Sequence, residues 1–325
     1  MNPRISLLLR RSAGQAVSSD RLAAESGLSV AHVGAAVQDL QQAGFDVESH
    51  PMLGYRFLAP PPHLVSEELA WGGQDRRAGR IVRCVGVTAS TNDLAWEAVS
   101  RGRQEADGLA VFAEHQAAGR GRRGGRWLAP PHSSILCSVI FWVPADAAIL
   151  TRGAGLAAAL AVEDQGYRQV GIRWPNDIVM DDRKVGGILV EVRQTPDGEN
   201  AAVIGIGINC TQSQDEFPRQ LRNHAGSLAM MGEDVDRTLL ARALLGRLDE
   251  VVARMATEEG AADIQSQAAR RCVTLGRRIT LLESGSIWTG DVLGLEDDYG
   301  LVLRLAEGGI RRFPAMTTHV LGPEA

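Results

Sequence analysis

Four arginines and four glycines share the nine positions 119–127, Gly119-Arg120-Gly121-Arg122-Arg123-Gly124-Gly125-Arg126-Trp127. Glycine lets backbone N–H groups come close to an anion. The arginine fork matches the oxygens of a phosphate or carboxylate. With strand patterns directly on both sides, the stretch reads as a loop that grips a phosphate-bearing ligand; an RNA-binding Arg-Gly tract or a solvated loop is the other reading. Trp127 ends it, set either against a flat ring or in the core.

Three further groups could share this chemistry. Ser90-Thr91-Asn92 follows a strand expected over 81–87 and precedes a helix expected over 94–100. That is where an N-cap belongs, and also where hydroxyls and amides can reach a ligand. Arg173-Trp174-Pro175-Asn176-Asp177 leads through the turn Asp181-Asp182 to Lys184, at the start of another strand. There an ammonium faces a phosphate, or it is a surface lysine in a turn. Gly205-Ile206-Gly207-Ile208-Asn209 alternates glycines, which clears one face of a strand for something to approach. It lacks the GxGxxG spacing and implies no dinucleotide site. The sequence has no Ser-His-Asp, HExxH or Walker A pattern, and its seven histidines (32, 50, 63, 115, 132, 224, 319) show no metal-ligand spacing. Arg, Lys and backbone amides point instead to phosphate positioning and charge stabilisation.

These groups need elements to hold them. The chain has 325 residues, which suggests about two domains. A triple proline, 60–62, cannot continue a helix or a central strand and separates the first segment from the rest. That segment predicts a helix over 5–11, a second capped by Ser18 or Ser19 and ended by Gly27, and a third capped by Ser29 with Val30, Val33, Val37 and Leu40 on one face. Strands at 45–47 and 55–57 follow, a winged helix-turn-helix pattern. The third helix exposes no Lys or Arg, and the arginines of 1–58 are balanced by Asp20, Glu25, Asp39, Asp46 and Glu48. A DNA reader would therefore have little electrostatic grip, and a small packing module is the competing reading.

The middle of the chain predicts strands at 109–113, 134–142, 170–174, 187–192 and 202–208, with helices at 147–165 and 237–254. No regular helical crossover links the strands, so the class is α+β with a central mixed sheet. Short glycine-punctuated strands at 278–282, 290–293, 301–305 and 310–313 suggest a small C-terminal SH3-like β-barrel. The expected domains are 1–62, 63–270 and 271–325.

With 34 Lys+Arg against 39 Asp+Glu, the net charge of −5 excludes a chain that coats nucleic acid through bulk charge. Four scattered cysteines suit a reducing cytoplasm rather than a disulfide scaffold. The longest uncharged run, 127–145, contains three prolines and reads as loop plus strand, not a membrane span.

Taken together, the residues resemble the biotin protein ligases of the bifunctional ligase and operon-repressor type. The motifs are Ser90-Thr91-Asn92, Glu114-His115-Gln116 with the Gly-Arg loop, Trp174-Pro175-Asn176-Asp177, Lys184 with Gly186-Gly187-Ile188-Leu189, and Gly205-Ile206-Gly207-Ile208-Asn209. The resemblance implies joining of biotin to ATP, giving biotinyl-5′-adenylate and pyrophosphate, then transfer of biotin to a lysine of a biotin carboxyl carrier protein. It implies Ser90, Thr91, Asn92 and Gln116 at the biotin head group, and Gly205 and Gly207 lining its pocket. It implies Arg120, Gly121 and Arg122 over the carboxylate and α-phosphate, and Lys184 at the reacting centre. Asp177 and Asn209 would serve the adenylate, Mg²⁺ or the incoming lysine, and Trp127 the adenine. It further implies operator DNA and a ligand-promoted homodimer as partners. Three departures stand out: Gly125 interrupts the usual second Gly-Arg, Arg173 replaces the usual lysine, and the third helix lacks basic residues. A biotin-sensing regulator with little catalysis and a lipoate-ligase relative remain the alternatives.

Overall fold

The computed structural model describes residues 1–12, 14–144, 146–232 and 235–321. Residues 322–325 of the expected C-terminal barrel, and Ala145 at the end of the uncharged run, lie outside the described residues. The chain divides into two compact units, Met1–Asp75 and Arg76–Ala325.

The first unit contains α1 (Pro3–Arg11), β1 (Ala16–Val17), α2 (Ser19–Ser26), α3 (Val30–Gln42), β2 (Asp46–His50), β3 (Gly54–Ala59) and α4 (Ser66–Ala70). The side chains of Asn2, Ser18 and Ser29 accept hydrogen bonds from the first-turn amides of α1, α2 and α3. Gly27 ends α2 with φ +76°, a conformation that suits glycine. Val33, Val37 and Leu40 of α3 pack with Ile5, Leu9, Leu22 and Phe57 into one core. The strands form an antiparallel sheet in the order β1-β3-β2. The unit runs past the triple proline because α4 returns to it. Glu68 of α4 accepts from Arg10 Nε at 3.0 Å and Nη2 at 2.8 Å. Both side chains are sealed from solvent, at 0% and 1% exposure, and the guanidinium lies over Phe45 and Phe57.

In the second unit, β4 (Ile81–Thr88), α5 (Thr91–Val99), α6 (Arg103–Ala106), β5 (Leu109–Gln116), β6 (Ser134–Trp142), α7 (Ala147–Glu163), β7 (Gly171–Arg173), β8 (Asp177–Met180), β9 (Arg183–Gln194) and β10 (Asn200–Asn209) follow in order. Seven strands make one sheet, β4-β5-β6-β10-β9-β8-β7. Only the β4–β5 pair is parallel, so the sheet is mixed, as expected. At its centre β10 lies between β6 and β9, with Gly205 opposite Ser138 on one side and Leu189 on the other. Helix α7 is buried along most of its length and packs on β7 to β10. Helices α8 (Arg237–Arg254) and α9 (Glu258–Arg271) pack against α7.

Strands β11 (Arg278–Glu283), β12 (Ser286–Leu295), β13 (Leu301–Leu305), β14 (Ile310–Phe313) and β15 (His319–Leu321) form a second antiparallel sheet, β14-β13-β12-β11-β15. Its core of Leu281, Val292, Leu301, Leu303 and Phe313 extends to Trp174. The indole Nε1 of Trp174 donates to the Tyr299 carbonyl at 2.9 Å, so the chain just before Asn176 and Asp177 is anchored on this sheet.

Removing one partner of a sealed ion pair leaves the other's buried charge less well compensated. Glu68→Ala should therefore destabilise the first unit by about 3–5 kcal/mol, read as an earlier transition in urea denaturation. Replacing Arg10 and Glu68 together by Met and Leu should recover most of that loss. An unchanged transition in the single variant would show that the pair does not hold α4.

Candidate active site

The three sequence groups meet over the centre of the large sheet. Ser90, Thr91 and Asn92 begin α5, Gln116 ends β5, Lys184 opens β9, and Gly205 and Gly207 lie in β10; all of them line one cavity with Arg120, Gly121, Arg122 and Trp127. Ser90 holds the N-cap position of α5, yet its side chain makes no capping bond.

The head of the cavity is a buried polar cluster. Gln116 Oε1 accepts from the Thr91 amide at 2.7 Å and lies 3.1 Å from Thr91 Oγ1. Ser138 Oγ is 2.7 Å from Thr91 Oγ1 and donates to Asn92 Oδ1 at 2.6 Å. Asn92 is 3% exposed, and its Nδ2 has no hydrogen-bond partner. A buried, unpaired amide N–H is costly, so this one calls for an acceptor, a water or a ligand atom, within the cavity.

Both glycines of β10 are required by side chains of the protein itself. A Cβ on Gly205 would stand 2.5 Å from Asn92 Oδ1, and one on Gly207 would stand 2.6 Å from the Trp127 ring. Trp127 thus lies on the cleared face of the strand. A Cβ on Gly187 of β9 would meet the same ring at 3.1 Å. Its Nε1 is buried without a partner, and Lys184 Nζ sits 5.8 Å from the ring centre.

The Gly-Arg loop folds back on itself: Gly121 N donates to Gly125 O at 2.7 Å and Trp127 N to Gly119 O at 3.0 Å. Arg123 takes φ +53° within it. Each cation of the site has a partner. Arg120 pairs with Asp93 at 2.7 Å and Glu191 at 3.7 Å. Lys184 pairs with Asp177 at 2.5 Å, which brings Asp177 to the cavity although it does not line it. Arg122 donates to Asn176 Oδ1 at 3.2 Å and to the carbonyls of Ala315 and Met316; Arg123 donates to the Thr317 carbonyl at 2.8 Å. Burial pulls the Arg122 guanidinium below its usual range, with Asp177 opposing the shift and Arg123 adding to it.

Asn209 is the one expected residue that stays away. Its Nδ2 donates to Gly226 O at 2.9 Å and its Oδ1 accepts from Gln212 at 3.3 Å. It ties down the turn after β10 and does not line the cavity. Residues that sequence reasoning passed over are Ser138, Asp93 and Glu191. The signals were a serine inside an apolar strand, an acid in the first turn of α5, and an acid in the apolar run of β9.

Residues 85–209 match the model of the biotin/lipoate A/B protein ligase family. The bifunctional ligase/repressor BirA of Escherichia coli is 30% identical over 295 residues, covering 89% of this chain and 88% of that protein. The chain belongs to the biotin protein ligases. The biotin–[acetyl-CoA-carboxylase] ligase of Mycobacterium tuberculosis is 35% identical over 226 residues, 66% of this chain and 78% of that one. The Aquifex aeolicus biotin protein ligase structure in complex with biotin and ATP superimposes with a TM-score of 0.62 at 23% identity, over 74% of this chain and 98% of that one. The ligase expected from the motifs is thus borne out, and so is an α+β fold with a central mixed sheet. Among the described residues, no helix is long and apolar enough to cross a membrane.

Gly205→Ala should push the Asn92 carboxamide off the strand and destabilise the second unit by about 1–3 kcal/mol. Thermal denaturation of Gly205→Ala in an Asn92→Ala background should recover most of this. An equal loss in both backgrounds would mean that Asn92 is not what the glycine admits.

Proposed function

We propose that this ligase joins the carboxylate of biotin to the α-phosphate of ATP, releases pyrophosphate, and then passes biotin to a lysine of a biotin carboxyl carrier protein. One observation carries the reading. A buried, unpartnered Asn92 amide opens on the same cavity as Arg120, Arg122 and Lys184. That cavity has a hydrogen-bonding end for an uncharged head group and a cationic end for a carboxylate meeting a phosphate. The polar end favours the ureido ring of biotin over the dithiolane of lipoate, which offers no comparable acceptor.

Ser90, Thr91, Asn92 and Gln116 hold the head group. Arg120 and Arg122 exchange their internal partners for the carboxylate and the α-phosphate, with the Gly121 amide beside them. Lys184 stabilises the negative charge that grows at the reacting centre. Bringing two anions together is the main obstacle, and these cations supply the orientation and screening it needs. The mixed anhydride is open to hydrolysis, so the Gly-Arg loop also excludes water from it. Trp127 packs beside the adenine once it leaves the glycine strand. Among the described residues, no group of three His, Cys, Asp or Glu is gathered to hold a metal. Mg²⁺ would therefore come with the phosphates of ATP, with Asp177 as its carboxylate, and would neutralise phosphate charge.

We read the chain as three parts, with the first boundary, expected at 62, carried to 75 by the return of α4 and the second at 270. The first is a winged helix-turn-helix and the last an SH3-like barrel whose fifth strand is β15. The Escherichia coli relative is named a repressor, and operator DNA is the corresponding partner here. Beyond Gly187 no strand pairs with the outer side of β9 among the described residues. That free edge supports a ligand-promoted homodimer.

The central test is mass spectrometry of a carrier domain incubated with the protein, biotin and MgATP. A single biotinyl increment is expected. Lys184→Met should slow adenylation about 100-fold or more while biotin still binds. No increment from the wild type would overturn the ligase assignment. For DNA, α3 exposes no Lys or Arg, and Arg21 and Arg56 already pair with Glu25 and Glu48. Operator binding, measured with biotin and ATP present, should then lose less than about tenfold between 50 and 200 mM salt. A loss of about 10³-fold would refute this. Sedimentation of the same samples should show the dimer, and a monomer at every ligand concentration would remove it.

A further inference from the structure

Ser138 lies in the middle of β6 and is fully buried. It faces Gly205 across the ladder, and its hydroxyl touches both Thr91 and Asn92 at 2.7 and 2.6 Å. We propose that Ser138 is a positioning residue that fixes which face of the Asn92 carboxamide meets the ligand, and so requires a hydrogen-bond acceptor there. The inference rests on the biotin reading above and goes beyond it, since it says how the head group is told from its analogues.

Ser138 has one hydroxyl proton, and two oxygens lie within reach of it. Gln116 Oε1 already accepts the Thr91 amide proton at 2.7 Å, while Thr91 Oγ1 is farther from it, at 3.1 Å. Asn92 Oδ1 carries no proton, so its 2.6 Å contact is made only when the Ser138 hydroxyl donates to it, while the Thr91 hydroxyl donates to Gln116 Oε1 at 3.1 Å. The carboxamide oxygen is thereby used up, with Gly205 leaving room for it, and Nδ2 is left facing outward without a partner. A carbonyl oxygen, such as that of a cyclic urea, satisfies it; a protonated guanidine does not. Without the Ser138 proton, the amide can turn over and offer its oxygen instead. An oxygen and an NH₂ group of one amide differ little in shape, so only a neighbour's proton can set the choice.

The experiment is calorimetric titration of the full chain with biotin and with 2-iminobiotin, in which the ureido oxygen is replaced by a protonated nitrogen. The wild type should prefer biotin. Ser138→Ala should weaken biotin about tenfold but leave iminobiotin unchanged or tighter, so the ratio of the two affinities collapses while kcat at saturating biotin holds. Ser138→Cys, which keeps the shape of the side chain with a larger atom and a weaker donor, should fall between. In an Asn92→Ala background, Ser138→Ala should add nothing further. An unchanged ratio in both Ser138 variants, or additive effects of the Ser138 and Asn92 substitutions, would overturn the proposal while leaving the ligase reading intact. A wild type that binds no biotin would overturn the ligase reading, and the proposal with it.

Discussion

Cations crowded into one cavity repel one another, and the second unit is built around that repulsion. Arg120, Arg122, Arg123 and Lys184 belong to one loop and the strand beside it, and each is matched from a different element. The partners are an acid on α5 with one on β9, an amide before β8, carbonyls of the segment between β14 and β15, and an acid that opens β8. At close range and partly out of water, each unscreened pair of like charges would cost on the order of kilocalories. The folded loop is therefore a state in which anionic or carbonyl oxygens of the protein compensate its cations. The C-terminal sheet takes part directly, because the chain between β14 and β15 supplies acceptors to two of the four cations.

The same logic explains the glycines. In an antiparallel sheet, alternate residues share a face, so Gly205 and Gly207 clear two neighbouring sites on β10. Asn92 occupies the first and Trp127 the second. These two side chains come from opposite ends of the cavity, one from the helix that presents the polar head and one from the end of the arginine loop. β10 therefore sets the spacing between the neutral and cationic ends. Its own position is set by long antiparallel ladders to β6 and β9. A site that must hold two reacting groups in line gains from being measured against such a strand rather than against a loop.

Much of this architecture was legible before the structure. The bounds of β6, α8, β13 and β14 agree with the sequence patterning, because α8 and β13 are buried on a regular period, β6 is one buried run, and glycines or prolines punctuate the chain near them. β1, α4 and α9 were not legible. β1 has two residues. α4 is a short helix held by the long-range Arg10–Glu68 pair, which no local window contains. α9 buries only Ile264 and Ala268, too few to register as a face. The cavity residues were found through the resemblance of their motifs to the ligases, and all but Asp177 and Asn209 line it. Asn209 was assigned by its place in the motif, whereas its bonds run to Gly226 and Gln212, contacts made by a returning loop. Ser138 escaped because a lone serine in a run of buried residues is ordinarily a filler, and what makes it more than that is its register against Gly205.

Register is also why the cleared strand can serve recognition as well as packing. A slip of one residue between β6 and β10 would turn every side chain of one strand to the other face. Ser138 would leave Asn92, and the glycines would face the wrong layer. The pairing continues without a shift from Asn209↔Ser134 to Ala201↔Trp142, and apolar side chains on the same strands, Ile140, Trp142, Ala201 and Val203, are buried under α5 and α6. The hydrophobic cluster that stabilises the sheet therefore also fixes the alignment on which the polar head depends. Stability and recognition share one ladder.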